Sequence, residues 1–137
     1  MRFMMIMFPG KQADTDYMPG PEAFEAMMKY NNELQKAGVL LALDGLQPTS
    51  KGARIRVKNG KKTATDGPFA ESKEIVGGYW MIQVRSREEA LEWAKRIPLE
   101  GEASEAFVEV RQVFEMSDFP PEVQKVAGTL ETALHRQ

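Results

Sequence analysis

Apolar residues fill Phe3-Met4-Met5-Ile6-Met7-Phe8 without alternation, the pattern of a central strand covered on both faces. Pro19-Gly20-Pro21 then leads into a helical stretch from Glu22 to Ala37, with Phe24, Met27, Met28 and Leu34 on one stripe and Gly38 as the stop. Val39 to Leu43 reads as the next strand. From Arg54 to Lys58 the chain alternates cleanly, and Asn59-Gly60 supplies a two-residue hairpin turn into Lys61 to Thr65. Ile75 to Val84 reads as a strand whose Gly77-Gly78 permits a bulge or close backbone approach. Ser86 and Glu89 have capping-box spacing and open a second helix that Pro98 ends. After the acidic loop Glu100-Gly101-Glu102, a last strand runs from Phe107 to Glu115. Ser117-Asp118 with Pro120-Pro121 starts a terminal helix carrying Val123, Val126, Ala127, Leu130 and Leu134.

Setting aside the hairpin and the terminal helix, the order is strand, helix, strand, strand, helix, strand, the ferredoxin-like α+β arrangement βαββαβ. Both main helices then lie on one face of the sheet. Two strands are apolar on both sides, so the opposite face needs a cover, either the terminal helix or a second subunit. A homodimer with sheets packed face to face is the expectation. The domain itself is expected over 1–116, with 117–137 as a helical extension.

Composition narrows the chemistry. At 137 residues and 42% apolar, the chain can bury one core but not two. A net charge of −2 argues against nucleic acid as a main partner. The absence of Cys removes thiol catalysis, disulfides and thiolate metal sites, and the single His135 sits near the C-terminus, so neither a cofactor nor a metal is implied. Met1-Arg2 before the apolar run resembles the start of a signal peptide, but Pro9-Gly10 ends it too soon. No stretch has membrane-spanning length, and a soluble cytoplasmic protein is expected.

Thr65 to Glu74 packs four ionisable groups and two hydroxyls beside an aromatic ring. Asp66 is the candidate general base or substrate anchor, Tyr79 a hydrogen-bond donor, and Lys73 or Arg111 an anion anchor. Asn31 sits in the apolar stripe of the first helix and needs partners, either as a structural bond to the sheet or the Asp44-Gly45 turn, or as a ligand contact. Asp44 and Phe69 complete the candidate binding set. The same run also reads as a turn, with Asp66 bonding its own backbone and Phe69 plugging the core; composition alone favours that structural reading. Glu109 and Arg111 share one face of the last strand, as an ion pair or a carboxylate site. Lys51, Arg54, Arg56, Lys58, Lys61 and Lys62 form a basic cluster without an interleaved aromatic, read as protection of a strand edge against aggregation.

Thr65-Asp66-Gly67-Pro68-Phe69-Ala70-Glu71-Ser72-Lys73-Glu74 followed by Gly77-Gly78-Tyr79 resembles the signature of the DGPF branch of the YCII-related family. Ala37-Gly38-Val39-Leu40, Gly45-Leu46-Gln47-Pro48, Ala90 to Pro98 and Val108-Glu109-Val110-Arg111 extend the similarity over roughly Met1 to Phe114. The resemblance implies a ferredoxin-like dimeric α/β-barrel. It also implies a cleft between the first helix and the sheet, where relatives have been proposed to use a His–Asp pair; here Met27 stands about where that His would be. The expectation is a protein binding a small polar molecule near Asp66 to Phe69, as a binding protein or a cofactor-independent enzyme. The alternative is a non-catalytic dimeric interaction module linked to transcription regulation, as some relatives are encoded beside extracytoplasmic-function sigma factors.

Overall fold

A computed structural model describes residues 1–15, 18–99 and 101–135, with the backbone alone for 131–135. Glu100 of the expected acidic loop and the side chains of Leu134 and His135 lie outside the described residues.

The elements follow the order β1 (Arg2–Phe8), α1 (Pro21–Lys36), β2 (Leu40–Gly45), β3 (Ala53–Lys58), β4 (Lys61–Asp66), β5 (Gly78–Gln83), α2 (Arg87–Lys95), β6 (Phe107–Gln112) and α3 (Pro121–His135). Four strands form one antiparallel sheet in the order β2-β5-β1-β6, and β3 with β4 form a separate two-stranded sheet. That order is compatible with the ferredoxin-like arrangement, the hairpin standing between its second and third strands.

Register explains why β1 is apolar throughout. Met5 lies opposite Trp80 and Val110, and Phe3 opposite Ile82, so these side chains share the face under the helices. Tyr30 and Leu34 of α1 and Ala90 of α2 meet them there, and Met5, Leu34 and Ile82 are fully buried. Each such side chain contributes roughly 1.5–3 kcal/mol. The other face carries Met4, Ile6 and Met81 beside Tyr79, Glu109 and Arg111, and these apolar side chains stay only half-buried. α3 leaves its own Val123, Val126 and Leu130 exposed.

Several local expectations hold for stated reasons. Asn59 and Gly60 both adopt positive φ, 51° and 77°, the geometry of a tight hairpin turn. Ser86 caps α2 by accepting from the N–H of Glu89 at 3.1 Å, while the Glu89 carboxylate reaches the N–H of Arg85. Others shift. β5 starts at Gly78, because Ser72–Glu74 forms a 3-10 turn before it and Ile75 is buried off the ladder. β6 ends at Gln112, and Phe114 leaves the core to stack on Phe119, 5.0 Å between ring centres. The inward stripe of α1 runs through Met27, Tyr30, Asn31 and Leu34, with Phe24 and Met28 off the core and exposed.

Candidate functional site

A cleft of about 400 Å³ opens between the first half of α1, the end of β1 and the connection from α2 to β6. Met7, Pro9, Phe24, Met27 and Leu99 line it together with the polar Gln12, the one polar side chain among the described lining residues. The chain reaches this geometry through Gly10, at φ +65°, where an added Cβ would lie 2.2 Å from the carbonyl oxygen of Ser104. Only glycine allows the Pro9–Gln12 turn to press so closely on that loop. Pro21 at the first turn of α1 then fixes the helix start that carries Phe24 and Met27 to the opposite wall.

The wall formed by residues 9–14 is tied from outside. Asp14, in left-handed backbone at φ 58°, accepts from the N–H of Thr49 at 2.7 Å and from the Thr49 hydroxyl. That hydroxyl in turn accepts from the N–H of Phe69 at 3.1 Å. The N–H of Gly67 donates to the carbonyl of Gly52 at 3.0 Å, and the Gly67–Pro68 peptide is cis. A Cβ on Gly67 would sit 1.9 Å from the Thr49 carbonyl oxygen, inside any tolerable contact. The Ser72–Glu74 turn packs on Gly10–Gln12, and Lys73 pairs with Glu105 at 3.5 Å. Asp66 to Glu74 is therefore a clasp joining three loops, one of which walls the cleft.

The residues expected to form one site fall into separate places. Tyr79 and Asp44 meet: the phenol donates to Asp44 Oδ2 at 2.9 Å on the open sheet face, and this bond to a carboxylate raises the phenol's pKa. Arg111 lies on the same face, two strands away beyond β1, opposite Met4. Asn31 is on the helix side, where its Oδ1 accepts from Trp80 Nε1 at 2.8 Å; of its two expected roles, the bond to the sheet is the one observed. Phe69 lies under the Arg54 guanidinium, 3.9 Å from ring centre to carbon. Asp66 is exposed at the base of the hairpin, opposite Ala53. None of these side chains is in the cleft lining.

Sequence reasoning missed Asp14 and Thr49, which carry the clasp. Neither stands in a periodic stretch, and their contact spans 35 residues. Tyr30 was also missed. It is buried against Trp80, edge to face at 5.9 Å, and its hydroxyl donates to the Trp93 carbonyl at 2.6 Å; burial pushes its pKa well up. No cluster of three or more His, Cys, Asp or Glu side chains is placed to hold a metal among the described residues. No described helix is long and apolar enough to cross a membrane.

A four-stranded antiparallel sheet with helices on one face and an apolar cleft under the first helix defines an α+β protein of ferredoxin-like order. The family model for the YCII-related domain matches residues 1–117, and the chain belongs to that family. An uncharacterized protein of Rhizobium meliloti (strain 1021) is 40% identical over 60 residues, 44% of this chain and 48% of that protein. The chain thus aligns with about half of that relative's length.

Proposed function

We propose that the protein is a non-enzymatic binder of a small, predominantly apolar molecule, held in the cleft between α1 and β1, and that it works as a homodimer of the DGPF type. The observation that carries this reading is the cleft itself, about 400 Å³ and walled by Met7, Phe24, Met27 and Leu99. That volume is in the range of ligand sites, and such a wall favours burial of an apolar body over a charged one. The expected ligand thereby changes from polar to mainly apolar. Asp66 takes no part in the chemistry of this reading, and neither does Tyr79; Asp66 to Phe69 supports the cleft through the loop that walls it.

The test uses anilinonaphthalene sulfonate, whose fluorescence rises on entering an apolar site. Ala23 also lines the cleft, and Ala23→Trp fills it from the helix side. Saturable binding by the wild type that is lost in Ala23→Trp, with thermal stability retained, is the expected result. No saturable binding to the wild type, or equal binding to both, sinks the reading.

Pairing of the open sheet faces through Met4, Ile6 and Met81 supplies the dimer, with Tyr79–Asp44 and the Glu109 and Arg111 side chains at its interior. Sedimentation at micromolar concentration should give a dimer mass that Ile6→Asp reduces to the monomer. A monomeric wild type contradicts this part.

A further inference from the structure

We infer that the β3–β4 hairpin of one copy docks on α3 of a second copy. This rests on the homodimer reading in needing two copies, but names a contact that the sheet faces do not make. Every residue of both hairpin strands is exposed, including Ile55 at 65% and Val57 at 70%. Antiparallel register sets Ile55 opposite Ala64 on one side of the ribbon, while Arg54 faces Thr65 and Arg56 faces Thr63 on the other. A lone two-stranded ribbon is marginal in water, and two large β-branched side chains on one side of it ask for a protein surface.

α3 offers that surface. Val126 and Leu130 are each 60% exposed, and Val123 stands one turn earlier on the same stripe. Both apolar surfaces stand exposed among the described residues. Their charges are complementary as well. Residues 51–62 carry Lys51, Arg54, Arg56, Lys58, Lys61 and Lys62 and no acid, in a chain whose net charge is −2. The remainder is therefore strongly negative; Glu122 stands exposed in the first turn of α3, and Asp118 stands exposed in the turn just before it, its carboxylate also accepting from the N–H of Glu115. A nucleic acid would engage the basic side of the ribbon and leave Ile55 and Val57 in water. A second copy buries them and offsets the charge together. In a two-fold dimer the contact forms twice.

The chain contains no Cys, so introduced thiols report unambiguously. The double variant Val57→Cys/Val126→Cys, oxidised in its native state, should give about tenfold more covalent dimer than either single variant, because docking raises the effective concentration of the paired thiols. Adding Arg56→Glu and Lys58→Glu should remove the excess, and Asp118→Lys with Glu122→Lys should restore it. Sedimentation of the unmodified protein runs alongside. A dimeric mass with no excess cross-link overturns this contact and leaves sheet pairing standing; a monomeric mass overturns both. A disulfide closed within one chain places the hairpin on its own α3 and also overturns it. Loss of the excess on adding a nucleic acid duplex, together with duplex binding that Arg56→Glu abolishes, would assign the basic ribbon to nucleic acid instead and overturn the inference.

Discussion

Replacing Thr49 by Val removes one hydroxyl and nearly nothing else, and should loosen the clasp behind the cleft. The hydroxyl donates to the Asp14 carboxylate and accepts from the N–H of Phe69 at 3.1 Å. A hydrogen bond to a charged group contributes roughly 1.5–3 kcal/mol and a neutral one roughly 0.5–1.5 kcal/mol. Thr49, Asp14 and Phe69 are half-buried, so water takes over part of each lost bond, and the bond from the Thr49 N–H to Asp14 Oδ1 remains. The expected loss is about 2 kcal/mol, equivalent to a fall in Tm of about 6–8 °C for a domain of this size. Urea unfolding should show it as a lower midpoint with an unchanged slope. The control is Asp66→Asn, whose exposed carboxylate is in no described hydrogen bond or ion pair and whose loss should stay within about 0.5 kcal/mol. Anilinonaphthalene sulfonate should bind Thr49→Val more weakly, because Pro9 and Gln12 stand on the loop that Asp14 anchors. If Asp66→Asn destabilises more than Thr49→Val, the Asp66 to Phe69 segment does not act as a structural clasp and the reasoning fails.

Gly67→Ala should cost more than Thr49→Val, about 3 kcal/mol, since its Cβ meets backbone rather than a movable side chain; a near-neutral melting temperature would contradict the observed approach to Thr49. Asn31→Leu should cost about 1–3 kcal/mol by stranding the buried indole N–H of Trp80, read by urea unfolding and by a shift in Trp emission. Stability should also fall in alkali. Tyr30, through burial, and Tyr79, through its bond to Asp44, both hold their protons above the ordinary value of 10.0. Their contribution is complete below that value and is lost as pH rises toward the folded-state pKa values, so unfolding free energy should decline above about pH 10. Tyr30→Phe should flatten the decline, and a wild-type profile level between about pH 9 and 11 would refute the assignment.

The elements most legible in the sequence were those whose signal is local. Asn59-Gly60 demands its turn through backbone conformation alone, and Ser86 caps α2 through a residue three positions on. The doubly apolar β1 also announced its central place, since both of its faces needed cover. The face of α1 was less legible. Met28 and Phe24 are as apolar as Met27, and only the tertiary position of Trp80 decides that Tyr30 and Asn31 turn inward instead. Phe114 misled in the same way. Alternation carries it into the strand, yet the last bond to β1 is from the N–H of Val113 to the Arg2 carbonyl, and beyond it Phe114 stacks on Phe119.

The candidate site was less legible still, for a reason that bears on the Asp66 to Phe69 segment directly. A sequence displays side-chain chemistry, and Asp66, Tyr79 and Lys73 look like a proton acceptor, a donor and an anion anchor. The fold instead uses the segment's backbone: the N–H of Gly67, the N–H of Phe69 and the space left by a missing Cβ. The N–H of Gly67 bonds the Gly52 carbonyl and its missing Cβ admits the Thr49 backbone, while the N–H of Phe69 bonds the Thr49 hydroxyl, which hands the contact on to Asp14 and so to the loop that ends at the cleft wall. A joint of three loops tolerates few alternatives at Gly67, while the Asp66 carboxylate stands exposed and outside the cleft lining. A cleft lined mainly by thioether, aromatic and aliphatic carbon, with the Gln12 amide among it, suits an apolar body better than a charged one.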